Sequence, residues 1–186
     1  YMELVSTEAR RLSRLVRSMQ DISRLRDQGI PADQKTNFDI CEAAGQALLC
    51  FEQRINQKKL NGEIDMPDEG LTIHAAQDSV TQVLYNLIDN AVKFVNEGGT
   101  LSVRIRRHGN SAMISVGNTG KTIPPEELPL VFDRFHKIDK SRSNDRDGWG
   151  LGLYIVKTIV LAHGEDVYVT SQDGKTEFTF SMSLAK

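Results

Sequence analysis

The sequence predicts an α+β fold, a two-layer α/β sandwich preceded by one long α-helix, and three observations carry that prediction. Residues 1–28 show a helical apolar period and no strand signal. From residue 36 onward helical and strand periods both occur but do not alternate regularly, so a doubly wound parallel sheet is not expected. The chain closes with two alternating runs, "DVYVTS" and "TEFTFSMSL", joined by "QDGK", which has the composition of a hairpin turn.

In the leading segment Met2, Val5, Ala9, Leu12, Val16 and Met19 recur at alternating three- and four-residue spacing, and Leu15, Ile22 and Leu25 widen the stripe. This is a heptad-like helix that needs a partner. Arg10, Arg11, Arg14, Arg17, Arg24 and Arg26 make it basic. No aromatic residue interleaves them, which favours a solvated face beside a helical seam over nucleic-acid binding. "DQGIPADQK" then supplies a glycine stop and a proline, a linker signature over 29–35. The domain from 36 to 186 is expected to contain a strand at 36–38, a helix at 39–57, and strands near 60–65 and 71–74. A long helix at 76–95, strands at 100–107 and 111–117, a short helix at 125–132 and a helix at 150–163 precede the closing hairpin.

With 186 residues and 39% hydrophobic content, the chain is long enough for one core with an appended element. A net charge of -2 gives no general attraction to nucleic acid or an anionic membrane. No apolar run approaches the length of a spanning helix and no signal-peptide pattern occurs, so a soluble chain without membrane contact is expected. Cys41 and Cys50 fall on one expected helix, about 13 Å apart along its axis and on opposite faces, which excludes pairing and fits a reduced cytoplasmic setting.

"VGNTGKT" (116–122) looks like the back half of a phosphate-binding P-loop, but Ser115 stands where that motif needs its first glycine. Pro124 and Pro125 also push any helix start beyond Lys121 and Thr122. Two other segments carry chemistry. In "QVLYNLIDNAVKF", Asn86, Asn90 and Lys93 project from one side of a helix, an arrangement able to hold a hydrated Mg²⁺ and a polyphosphate. In "RDGWGLGLYIVKTIV", Gly148, Gly150 and Gly152 sit at the mouth of an apolar helix, where bare N–H groups suit phosphate oxygens.

In their order along the chain, these segments resemble the catalytic, ATP-binding domain of bacterial two-component sensor histidine kinases, within the GHKL ATPase superfamily. "NLIDNAVKF" is similar to the family's asparagine box and "VGNTGKTIP" to its first glycine box. "FDRFHKIDKS" is similar to its phenylalanine box and "GWGLGLYIVK" to its second glycine box. Residues 1–28 resemble the second helix of the dimerisation and phosphoacceptor hairpin. The resemblance implies ATP and Mg²⁺ as cofactors, with Asn90 on the metal, Asn86 assisting it, Lys93 approaching the phosphates and Phe94 near the base. It places Asn118, Gly120 and Ile123 at the adenine end, and gives Gly148, Trp149, Gly150, Leu151 and Gly152 as backbone donors to the phosphates. Residues 133–149 would form a lid anchored by Phe132 and Phe135, from which Lys137 and Arg142 reach the γ-phosphate. Asn86, Lys93 and Lys137 are the implied catalytic residues.

The sequence also departs from the family pattern. The family's acceptor histidine is followed by an acidic residue on the first hairpin helix. His74, His108, His136 and His163 are followed by Ala, Gly, Lys and Gly. The resemblance therefore implies a fragment that begins downstream of the acceptor, the cytoplasmic portion of a membrane-anchored bacterial sensor. It implies a response regulator receiver domain as partner, and a homodimer formed through the hairpin. Asn118 stands where an aspartate is usual and Thr122 where a second glycine is usual. A carboxylate at 118 could only accept a hydrogen bond, whereas Asn118 can present its oxygen or its NH₂. Two other readings are a GHKL serine kinase of the anti-sigma-factor type, disfavoured by the basic leading helix, and a degenerate nucleotide-sensing module.

Overall fold

The computed structural model describes residues 2–137 and 150–186. Its elements are α1 (Met2–Gln28), β1 (Thr36–Asp39), α2 (Ile40–Leu49), α3 (Glu52–Gln57), β2 (Asn61–Asp65), β3 (Thr72–Ala75) and α4 (Gln77–Phe94). After these come β4 (Thr100–His108), β5 (Ser111–Thr119), α5 (Gly152–Ala162), β6 (Val167–Gln172) and β7 (Lys175–Ser183). The main sheet has the order β2-β4-β5-β7-β6, with β2 parallel to β4 and every other pair antiparallel. β1 and β3 form a separate antiparallel pair, joined to the chain beyond β7 by an Ile73–Leu184 bridge.

Strand alternation creates the two layers. Leu101, Val103 and Ile105 of β4, Ile114 and Val116 of β5, and Phe178, Phe180 and Met182 of β7 are buried on one face. Against them lie Val80, Val83, Leu84, Leu87, Ile88, Ala91 and Val92 of α4, with Ile155, Val156, Ile159 and Val160 of α5. The opposite face is polar: Arg104 pairs with Asp65 and Glu177 at 4.0 and 3.7 Å, and Arg106 pairs with Asp65. This is the expected two-layer α/β sandwich with a long leading helix.

Several expectations are corrected. The helix expected over 39–57 divides into α2 and α3. Ala43, Ala44 and Ala47 let α2 lie close to α4, and two i→i+3 bonds, Cys50 to Ala47 O and Phe51 to Leu48 O, then redirect the chain. The larger Phe51 ring thereby seats against Tyr85, with ring centroids 4.7 Å apart. The helix expected over 125–132 reduces to a 3₁₀ turn, Leu128–Leu130, because Pro124, Pro125 and Pro129 remove amide donors and bias the residues before them away from α. α5 begins at Gly152, since Gly150 has φ +70, outside right-handed helical space.

The apolar stripe of α1 divides between two environments. Leu15, Ile22 and Leu25 pack on the core and α1 lies along α5, while Met2, Val5, Leu12 and Val16 stay exposed. Ile30 N–H donates to Ala162 O at 3.3 Å, which holds the chain after α1 against the end of α5. Both cysteines are unpaired, and burial pushes the Cys41 thiol up to about 11. No helix of the described residues is long and apolar enough to cross a membrane.

Candidate functional site

The apolar period of α4 faces the sheet, which leaves Asn86, Asp89, Asn90 and Lys93 half-buried along its flank. Asn86 Nδ2 donates to Gly152 O at 3.3 Å and ties this flank to the start of α5. Lys93 Nζ lies 3.0 Å from Asp89 Oδ2, while Arg54 Nη1 donates to Asp89 Oδ1 at 2.8 Å. Asp89 thus holds two cations beside the asparagines, a role the sequence reading missed although the i,i+4 spacing to Lys93 was visible. The C-terminus of α4 is held by Lys58, whose ammonium donates to Val92, Lys93 and Val95 carbonyls at 2.6, 3.3 and 3.2 Å. A cation at the negative end of a helix is favoured by about 0.3–1 kcal/mol at an exposed site, and by more when partly buried.

Beside this flank opens a cleft between the helix layer and one end of the sheet. Asn90 and Phe94 of α4, Asn118 of β5 and Ile123 line it, so four residues named from sequence meet there. Thr122, whose departure from the family pattern falls at the adenine end, lines it too, and Asn96, Lys121, Leu153, Thr176 and Phe178 line it without having been named from sequence as site residues. Asn118 and Thr176 are direct partners across β5 and β7, and β6 places Ser171 beside Thr176. The end of the sheet thus presents a polar row to the cleft, which a single strand's pattern does not reveal.

Gly120 approaches α4 so closely that a Cβ would stand 2.7 Å from Phe94 O, which explains a glycine there. Gly150 accepts from Phe135 N–H at 3.0 Å, and a Cβ on it would meet the Phe135 backbone at 3.0 Å. Phe132 is buried edge-on against Phe178, whereas Phe135 is 53% exposed with φ 59. Leu151 is buried, and Gly152 opens α5 with nothing within 4 Å of a Cβ position. Lys137 is exposed and does not line the cleft; Lys93 and Asn86 flank the cleft without lining it. Arg142, Gly148 and Trp149 lie outside the described residues.

Among the described residues no group of three or more His, Cys, Asp or Glu gathers to hold a metal. Asn90 offers a single amide oxygen, a donor set suited to a cation held mostly by water and ligand oxygens.

Comparison with known proteins gives a consistent result. Residues 75–186 match the family described as histidine kinase-, DNA gyrase B-, and HSP90-like ATPase. The chain is 33% identical over 187 residues to the sensor histidine kinase WalK of Bacillus subtilis, covering 98% of this chain and 30% of WalK. It is 30% identical over 185 residues to the sensor protein SrrB of Staphylococcus aureus, covering 100% of this chain and 31% of SrrB. It thus spans under a third of the length of these relatives. Among solved structures, full-length ShkA in complex with AMPPNP superposes with a TM-score of 0.78 at 27% identity, over 94% of this chain and 36% of ShkA. The profile match, the two sensor relatives and the shared sandwich agree: this chain belongs to the histidine kinase-, DNA gyrase B- and HSP90-like ATPase family.

Proposed function

We propose that the chain is the ATP-binding catalytic domain of a sensor histidine kinase, residues 36–186, joined through a linker at 29–35 to the second helix of a dimerisation hairpin at 1–28. It binds Mg·ATP in the cleft and passes the γ-phosphoryl group to a histidine outside this chain, for relay to a response regulator. The observation that carries this reading is the meeting of Asn90, Phe94 and Asn118 in one cleft with apolar walls and a few convergent polar groups. Phe94, Leu153 and Phe178 give it apolar walls for a base, while Asn118 and Thr176 offer hydrogen bonds.

Asn90, aided by Asn86, would hold Mg²⁺, which bound here would offset charge on the phosphate oxygens. Lys93 would turn from Asp89 toward the phosphates. The backbone of Gly148, Trp149, Gly150, Leu151 and Gly152 would receive them at the mouth of α5, with Lys137 and Arg142 supplying further positive charge. The carbonyl oxygen of Asn118 would accept from the exocyclic amino group of adenine.

Calorimetric titration of Mg·ATP tests the site, and incubation with a hairpin that carries an acceptor histidine tests the transfer. Asn90→Ala should remove most Mg²⁺-dependent affinity with little loss of stability, because a half-exposed amide contributes little to the core. Full affinity in that variant would refute the metal assignment, and an unlabelled hairpin would refute the kinase reading.

A further inference from the structure

Residues 120–123 form a rim of the cleft, and three hydrogen bonds attach them to the hairpin that joins β6 to β7. Gly120 N–H donates to Gly174 O at 2.8 Å. Gly174 N–H donates back to Thr122 Oγ1 at 2.7 Å, and Ile123 N–H donates to Ser171 Oγ at 2.8 Å. Ser171 Oγ also meets Thr176 Oγ1 at 2.7 Å, so the latch continues into the polar row that floors the cleft. The turn is tight: Asp173 and Gly174 have φ 51 and 74, the pair of positive values of a type I′ two-residue hairpin loop. A Cβ on Gly174 would stand 3.3 Å from Gly120 O, so the two backbones lie nearly in contact.

Of the three rim atoms in these bonds, Thr122 Oγ1 is the one supplied by a side chain, and it closes a reciprocal pair with Gly120 across Gly174. We propose that Thr122 is a positioning residue: its hydroxyl holds the 120–123 rim against the β6–β7 turn, so that the end of the cleft that receives the base is formed before nucleotide arrives. The inference rests on the nucleotide reading above. A rim held closed keeps nearly every molecule competent to bind. A rim that opens part of the time raises the apparent Kd by the inverse of the competent fraction.

The test compares Thr122→Val, which keeps the shape and loses the hydroxyl, with Thr122→Ser, which keeps it. In ligand-free protein, exchange of the Gly174 amide is expected to be about tenfold faster in Thr122→Val than in wild type and unchanged in Thr122→Ser. The Kd for Mg·ATP should rise about five- to tenfold in Thr122→Val and stay within about twofold in Thr122→Ser. With adenosine as the probe the loss should persist; with magnesium triphosphate it should vanish, a contrast that general destabilisation would not produce. Equal exchange in wild type and Thr122→Val overturns the latch. Faster exchange with unchanged nucleotide affinity, or equal losses for adenosine and triphosphate, overturns the positioning role. A wild type that binds no Mg·ATP while the exchange difference is present overturns the nucleotide reading, and the positioning role with it.

Discussion

Asn118 is 7% exposed, and its Nδ2 donates to Thr119 O at 3.2 Å. From sequence alone, Asn118→Asp is expected to tighten ATP binding, because a charged acceptor makes the stronger hydrogen bond to the base. The contact with Thr119 fixes the amide in the ligand-free protein. An aspartate would lose it with and without nucleotide alike, so the loss bears on the stability of the turn and not on affinity. Asn118→Asp is therefore expected to tighten ATP binding by about severalfold and to increase discrimination against GTP, as read by calorimetric titration of both nucleotides. Unchanged affinity for both would make Asn118 a turn residue.

At the scale of elements, the junction of α4 with α5 turns on one imidazole. His163, just past α5, accepts from Ala76 N–H through Nε2 at 3.1 Å, and its Nδ1 lies 2.8 Å from Ile159 O. Both nitrogens are engaged by a neutral ring that carries its proton on Nδ1. Burial, the largest cause, and the charge of Lys35 lower its pKa below the ordinary 6.5, outweighing Ile159 O and Glu165, which raise it. A lowered histidine pKa means that the unfolded chain binds the proton more readily. The contribution is thus complete above pH 6.5 and is lost as pH falls from there through the folded value. Urea denaturation should show lower stability at about pH 5.5 than at about pH 7.5, with a smaller difference in His163→Gln, which stays neutral throughout. An equal pH difference in that variant would assign the effect to other groups.

Over the whole molecule, the sequence disclosed what is periodic and local. The apolar stripe of α4 identified a helix with Asn86, Asn90 and Lys93 along one flank, and alternation identified β4, β5 and the closing hairpin. The floor of the cleft depends instead on which strands become neighbours. Asn118 meets Thr176, and Thr176 meets Ser171, through pairings across β5, β7 and β6 that no single strand's pattern encodes. The break after α2 was hidden for a related reason, since Phe51 seats against Tyr85, a residue from a different helix. Sheet order has a further consequence, for solubility. Among the described residues β2 and β6 are the edge strands, and unpaired edges invite pairing between chains. β2 carries Glu63 and Asp65, whereas "VYVTSQ" in β6 has no charge and leaves Tyr168 49% exposed. Beside β6 lie the Leu128–Leu130 turn and, through the Ile123–Ser171 bond, the rim of the cleft. Edge-to-edge pairing is therefore expected at the exposed Tyr168 end of β6. Tyr168→Lys should raise the temperature at which light scattering begins on heating while moving the melting midpoint by no more than about 2 °C; an unchanged scattering onset would place the aggregating surface elsewhere.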